Sequence, residues 1–153
     1  MMQRWTSRSL HDPVHLMLPP FQPESAPLHV LVADDDASIR RACCEIAASE
    51  GMVGHEAELS SRARGLLLAK GVDIVLVDET IATGDGCYLL EELRQMRPEV
   101  AVIWMTSAST VQLALEALRY GASDYLIKPF SGEELSAVLR RLAERRTIDA
   151  ASR

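Results

Sequence analysis

Apolar and polar residues alternate in blocks along most of the chain, and this pattern predicts strands and helices in strict succession. Short apolar runs are typical of buried strands. Such runs occur after residue 27 at positions 29–33, 52–57, 73–78, 100–105 and 123–127. The third and fourth runs are almost continuously apolar, which favours parallel strands that are covered on both faces.

Apolar residues at helical spacing follow the first, third, fourth and fifth runs and predict a helix after each of them. A further helix is predicted near 60–69, after the second run. Gly51, Gly71, Gly121 and Pro98 mark predicted helix ends, because glycine and proline stop helices. The predicted apolar stripes are Ile39, Cys43, Ile46 and Ala47; Leu89, Leu90, Leu93 and Met96; Val111, Leu115 and Leu118, with Ser109 or Thr110 as N-cap; and Leu135, Val138, Leu139 and Leu142 in a last helix over about 131–145.

Five strands that alternate with five helices predict a doubly wound α/β fold, (βα)5, with a five-stranded parallel sheet and right-handed crossovers. Five of the seven prolines precede residue 28, and that segment has neither helical nor strand periodicity. We therefore expect residues 1–27 to be a Pro-rich, disordered arm. Residues 28–146 form the predicted domain, and 147–153 a C-terminal tail or the start of a linker.

Composition narrows the classes of function. The chain is 48% hydrophobic and 25% charged, which is ordinary for one globular domain. A net charge of −6 argues against direct contact with nucleic acid or an anionic membrane. Three cysteines, two of them adjacent, make neither a disulfide framework nor a zinc motif. No signal peptide or apolar span is predicted, so we expect a cytoplasmic protein.

Polar residues stand where four of the predicted strands end. They are Asp34-Asp35-Asp36 after the first strand, Asp78 at the end of the third, Thr106-Ser107 after the fourth and Lys128-Pro129 after the fifth. In open parallel sheets, chemistry lies outside these carboxyl ends. Clustered carboxylates repel one another, and a hard divalent cation removes that conflict. Mg²⁺ is held by one or two carboxylates together with water and phosphate oxygens. The pattern indicates a Mg²⁺–phosphoryl site, with Asp36 as the N-cap of the first helix.

These motifs together resemble a two-component response regulator receiver domain, closest to the NtrC-like group of sigma-54-dependent regulators. The resemblance covers about residues 28–145. It is carried by Val30-Leu-Val-Ala-Asp-Asp-Asp-Ala-Ser-Ile-Arg-Arg41, by Asp78 with Asp85-Gly86, by Thr106 and by Ala122-Ser-Asp-Tyr-Leu-Ile-Lys-Pro-Phe130. It implies a flavodoxin-like sheet with strand order 2-1-3-4-5.

The resemblance also implies a role for each site residue. Asp78 would accept a phosphoryl group from a sensor histidine kinase or a phosphotransfer protein. Mg²⁺ would be held by Asp34, Asp35 and Asp78 and by the backbone carbonyl of Thr80. The domain would thus catalyse its own phosphorylation and dephosphorylation, without turnover of an external substrate.

Lys128 would bind a second phosphoryl oxygen, and the Lys128–Pro129 bond is expected to be cis. Thr106 would donate a hydrogen bond to a third oxygen, and Tyr125 would then turn inward. This switch would change the face formed by the predicted fourth helix, which follows the fourth strand, together with the fifth strand and the last helix (helix 4, strand 5 and helix 5 of the family). Receivers of this group often form homodimers through that face. Alternatively, Tyr125 is simply a half-buried aromatic residue on an edge strand.

The sequence departs from the family pattern just after the acceptor. Ala82 stands where proline is usual, which leaves the 79–83 loop less restrained. Glu79 stands where an apolar residue is common, and we expect it to point to solvent. If it faces the site instead, it would add negative charge and tune metal affinity.

Other functions fit less well or stay open. Asp34-Asp35-Asp36 would repel the phosphate of an FMN cofactor, and Thr80 replaces the acid that a D-x-D phosphohydrolase needs. A pseudo-receiver that binds partners without phosphorylation is disfavoured by the full acid, threonine and lysine set. NtrC-like receivers usually precede an AAA+ ATPase and a DNA-binding domain, so the chain is either a stand-alone receiver or part of a transcription regulator; we favour the second.

Overall fold

The computed structural model describes residues 26–58, 60–83, 86–107, 115, 118–119 and 121–151. Five parallel strands form one sheet in the order β2-β1-β3-β4-β5. The strands are β1 (His29–Ala33), β2 (Val53–Ala57), β3 (Ile74–Asp78), β4 (Ala101–Thr106) and β5 (Asp124–Ile127). Each lies within a residue of its predicted bounds, and the predicted flavodoxin-like order is confirmed.

The helices described over their full length are α1 (Ala37–Ser49), α2 (Ser60–Lys70), α3 (Glu79–Thr83), α4 (Gly86–Met96) and α5 (Gly132–Ala151). Leu115, Leu118 and Arg119 are also helical, in the segment of the predicted fourth helix. The rest of that helix, with Val111 and both N-cap candidates, lies outside the described residues. So does Asp85 of the motif that follows Asp78. The arm at 1–25 and the last two residues lie outside them as well.

The apolar runs became strands because the sheet is covered on both faces. Every residue of β3 is buried. Alternate side chains of β1 enter different cores: Leu31 joins the cluster beneath α2 and α4, whereas Val32 joins the cluster beneath α1 and α5. Two apolar layers around a central parallel sheet place the polar residues at the strand ends, where backbone leaves the core.

Local capping fixes the start of the helices that flank the site. Asp36 is the N-cap of α1, and its carboxylate accepts the backbone N–H of Ser38 at 2.8 Å. Ser131 accepts the N–H of Glu134 at 3.1 Å at the start of α5. The predicted cap role of Asp36 is thus confirmed. The predicted buried stripe of the last helix is confirmed too, although α5 continues to Ala151 instead of ending near 145.

The structure corrects local predictions about the helices. Residues 79–83 form the short helix α3 instead of a loop, because Ile81 and Ala82 are buried in the core and hold the backbone there. Leu115 and Leu118 are 60% and 59% exposed, so at these positions the predicted stripe does not pack against the sheet. Within the described ranges, none of the helices has the length and apolar character required to cross a bilayer.

Burial also sets the reactivity of two cysteines. It is the main cause that raises the pKa of Cys43 to about 12 and the pKa of Cys44 to about 11. Both are free thiols, Cys43 buried and Cys44 half-buried. At pH 8 we expect a thiol reagent to modify them at least about 100-fold more slowly in the native protein than in urea, because thiolate is the reactive form.

A Cys87→Ser variant leaves only these two thiols to report. Rapid modification of both in the native variant, at the rate seen in urea, would show that they are not buried as described.

Candidate functional site

The carboxyl ends of β1, β3 and β5 bring two acids and a lysine together. The Nζ atom of Lys128 lies 2.5 Å from a carboxylate oxygen of Asp34 and 2.7 Å from one of Asp78. The Asp34 side chain is 3% exposed, that of Asp78 12% and that of Lys128 18%. One ammonium therefore serves two largely buried carboxylates, which would repel each other without it.

This shared ion pair shifts the proton affinities of its members. Burial alone would raise the pKa of Asp78, but hydrogen bonds from Lys128 and Thr80 outweigh it and leave that pKa below its usual range. Burial would likewise lower the pKa of Lys128, whereas the bonds to Asp34 and Asp78 raise it above its usual range. Asp78 is consequently a carboxylate at neutral pH, which is the form that can act as a nucleophile.

Thr80 and Glu79 complete the surroundings of Asp78 from α3. The backbone N–H of Thr80 donates to a carboxylate oxygen of Asp78 at 3.2 Å, and the Thr80 hydroxyl donates to the same oxygen. The Glu79 carboxylate accepts the hydroxyl of Thr106 at 2.5 Å. Glu79 is half-buried, so the expectation that it points to solvent was wrong. The short helix turns it toward the end of β4 instead.

The residues of the acidic run face different surroundings. Asp34 accepts the backbone N–H of Asp36 at 2.8 Å as well as the Lys128 ammonium. Asp35 is exposed at the open edge of the site. Across the residues that the structure describes, no three acids, histidines or cysteines are close enough together to form a metal-binding group.

The donor set nevertheless fits a hard divalent cation. Asp34 and Asp78 both contact the Lys128 ammonium, and their carboxylate oxygens are the ligand type that Mg²⁺ prefers. Mg²⁺ needs only one or two carboxylates, with water and phosphate oxygens as its other ligands. In this arrangement the Lys128 ammonium provides the positive charge between the two acids.

Thr106 and Lys128 are also joined through the backbone. The N–H of Lys128 donates to the Thr106 carbonyl at 2.7 Å, at the end of the β4–β5 pairing. The Lys128–Pro129 bond is cis, as expected. Thr106 is buried, whereas Tyr125 on the edge strand β5 is 41% exposed. The structure therefore brings Asp34, Asp78, Thr80, Thr106 and Lys128 to one edge and leaves Tyr125 outside it.

Sequence reasoning missed the contact between Glu79 and Thr106. The only available indication was the acid directly after Asp78, at a position where an apolar residue is common. Its direction depends on α3, in which Ala82 is buried in the core. No spacing rule links residue 79 to residue 106.

Comparison with known proteins agrees with this geometry. Residues 30–140 match the response regulator receiver domain family. Regulatory protein AtoC of Escherichia coli K12 is 37% identical over 112 residues, which cover 73% of this chain and 24% of AtoC. The DNA-binding transcriptional regulator NtrC of Salmonella typhimurium LT2 is 36% identical over 112 residues, with the same coverage of 73% and 24%.

A solved structure agrees as well. The receiver domain of NtrX from Brucella abortus superposes with a TM-score of 0.68 at 30% identity, over 75% of this chain and 98% of that one. The chain spans about a quarter of the length of AtoC and NtrC. The predicted likeness to the NtrC-like group is thus confirmed, and the chain belongs to the response regulator receiver domain family.

Proposed function

We propose that this domain accepts a phosphoryl group on Asp78 from a sensor histidine kinase or a phosphotransfer protein. The observation that carries the proposal is the ionised, partly buried Asp78, which shares the Lys128 ammonium with Asp34. Such a site offers a nucleophile and a cation within contact distance of one another. Phosphoryl transfer depends almost entirely on positioning and charge stabilisation, and both are supplied at this edge.

In the proposed reaction, a carboxylate oxygen of Asp78 attacks the phosphorus of a phosphohistidine. The new O–P bond forms while the P–N bond breaks, and the imidazole nitrogen of the donor keeps the electron pair. Lys128 leaves its contact with Asp78 and binds a phosphoryl oxygen, so its charge follows the charge that moves. Hydrolysis of the aspartyl phosphate later returns the carboxylate.

Asp34, Asp35 and Asp78, with the backbone carbonyl of Thr80, are the residues that would hold Mg²⁺. A bound ion would neutralise charge on the phosphoryl oxygens. Lys128 contacts both Asp34 and Asp78 and thereby reduces the repulsion between the two carboxylates. Asp34 is positioned by the N–H of Asp36, which donates to its carboxylate.

The output of the domain is proposed to be a change in the face that comprises the 110–120 segment, β5 and α5. Thr106 would turn toward the phosphoryl group, and Tyr125, which is 41% exposed, would turn inward. Such a face suits a homodimer or a downstream domain. The chain resembles about a quarter of the length of NtrC, a transcriptional regulator. We therefore propose that this domain controls transcription through a sigma-54-type output.

The test is uptake of one phosphoryl group from a small phosphodonor such as acetyl phosphate, measured by intact mass. Wild type is expected to gain one phosphoryl mass with Mg²⁺ and none with excess chelator, and Asp78→Asn is expected to gain none. No uptake by wild type with several donors would favour the alternative, a pseudo-receiver that binds partners without phosphorylation.

A further inference from the structure

The hydroxyl of Thr106 is already engaged by an acid. Its Oγ1 atom donates to Oε2 of Glu79 at 2.5 Å. Thr106 is 4% exposed and Glu79 is half-buried, so water competes weakly for this contact. A hydrogen bond to an ionised acceptor is about twice as strong as one between neutral groups.

The contact follows from where the two residues stand. Glu79 directly follows Asp78, and Thr106 directly follows Met105, which pairs with Asp78 across β3 and β4. Glu79 is also the first residue of α3, whose Ile81 and Ala82 are buried and hold the helix in place. The fold therefore holds the acid beside the threonine.

A threonine hydroxyl carries one proton and can donate only one strong hydrogen bond. The proposed function requires that bond to go to a phosphoryl oxygen on Asp78. The same bond now goes to Glu79, whose charge has the same sign as a phosphoryl group. The Glu79 carboxylate and the phosphoryl group thus require the same donor, the Thr106 hydroxyl.

We propose that Glu79 is a positioning residue that holds Thr106 in the unphosphorylated state and competes with the phosphoryl group for its hydroxyl. This inference rests on the proposed function, because it concerns the same site. Phosphorylation must break the Glu79–Thr106 bond, so Glu79 disfavours the phosphorylated state and delays the turn of Thr106. A residue at this position thereby sets how much donor is needed to switch the domain.

Two variants at position 79 separate the effect of the Glu79 charge from the effect of its hydrogen bond with Thr106. Glu79→Gln keeps an acceptor for Thr106 but removes the charge, and Glu79→Leu removes both. Thr106→Val removes the hydroxyl while keeping the shape of the side chain. The probe is beryllofluoride with Mg²⁺, an unreactive mimic of a phosphoryl group on a carboxylate, with the bound fraction measured by ¹⁹F NMR.

We expect Glu79→Leu to bind beryllofluoride about 10-fold more tightly than wild type, since one charge-assisted hydrogen bond no longer competes. Glu79→Gln is expected to fall between the two. In the Thr106→Val background the gain from Glu79→Leu is expected to shrink to about 3-fold or less, which leaves only the effect of charge.

A second readout needs neither metal nor beryllofluoride. In methyl-labelled protein, the ¹³C shift of the Thr106 methyl group reports its side-chain rotamer. Glu79→Leu is expected to move that shift, whereas Glu133→Leu on the exposed first turn of α5 is expected to leave it unchanged. Thermal unfolding curves confirm that each variant is folded.

Several results would overturn the inference. Equal gains from Glu79→Leu with and without the Thr106 hydroxyl would show that Glu79 acts by charge alone. Unchanged or weaker binding in Glu79→Leu, or an unmoved Thr106 methyl shift, would remove the competition altogether.

Failure of the proposed function gives a different pattern. No beryllofluoride binding by wild type and every variant would overturn both proposals. Binding that is insensitive to Glu79 would overturn the inference alone, and binding only after Glu79 is replaced would support both.

Discussion

Replacing Lys128 with methionine is expected to lower the free energy of unfolding by about 3 kcal/mol at pH 7. Methionine keeps the length of the side chain but removes the one ammonium that Asp34 and Asp78 share. Both carboxylates then stay largely buried, face each other and lack their cation. Urea unfolding in buffer without Mg²⁺ measures the loss.

The loss should depend on pH in a defined direction. In wild type the pKa of Asp78 is below its usual value, so this group stabilises the fold above the ordinary Asp range and the stabilisation is lost as pH falls through the folded pKa. Without Lys128, burial is opposed only by the hydrogen bonds from Thr80, so the pKa of Asp78 is expected to rise relative to wild type. Acidification from pH 7 to about 4.5 should therefore narrow the gap between variant and wild type.

Arg140→Met is the matched control. Arg140 pairs with Glu50 at 2.9 Å, but its side chain is 64% exposed. An exposed pair of this kind contributes at most about 1 kcal/mol. Equal losses in the two variants, or a gap for Lys128→Met that widens on acidification, would contradict the description of a buried ion pair shared by two acids.

Replacing Asp35 with asparagine is expected to slow phosphoryl uptake about 100-fold at a fixed, subsaturating Mg²⁺ concentration. Asp35 is exposed beside Asp34, where a carboxylate can meet a solvated cation. A higher Mg²⁺ concentration should recover part of the rate, because the variant keeps Asp34 and Asp78. Uptake is followed by intact mass over a Mg²⁺ titration.

Asp36→Asn is the control with the same change of charge one residue further along. Asp36 caps α1 through the N–H of Ser38, and asparagine is an equally good N-cap. Its uptake should match wild type. If Asp36→Asn were as slow as Asp35→Asn, the effect would come from the general loss of negative charge and not from a metal ligand.

Most of the fold follows from local physics. The apolar runs that became β3 and β4 are long enough to be buried on both sides, and their polar last residues fix where the crevice lies. Gly51 and Gly71 have positive φ just after α1 and α2, so the helix ends predicted from them are correct. Topology then brings Asp34, Asp78 and Lys128 together without any further information.

The features that could not be predicted from the sequence depend on tertiary contacts. The backbone of 79–83 is helical because Ile81 and Ala82 find space in the core, and that space exists only after β3 and β4 have packed. The direction of Glu79 follows from this helix. Leu115 and Leu118 have helical spacing, yet spacing alone does not say whether a partner covers the apolar face.

Two of these features meet at Asp78, the proposed phosphoacceptor. Lys128 neutralises the acids from one side, and Glu79 occupies the Thr106 hydroxyl from the other. The first keeps Asp78 a carboxylate, and the second, in our proposal, makes the response to phosphorylation more costly. If both proposals hold, the balance between them sets the donor level at which the domain switches.

The position of the phosphoryl group tests the central claim most directly. Protein treated with acetyl phosphate and Mg²⁺ is reduced with borohydride, which converts an aspartyl phosphate to homoserine but leaves a phosphothreonine intact, and the peptides are then sequenced by mass spectrometry. We predict homoserine at position 78 and at no other aspartate. Homoserine at position 34 or 35, or intact phosphate on Thr80, would contradict the assignment of Asp78 as the phosphoacceptor.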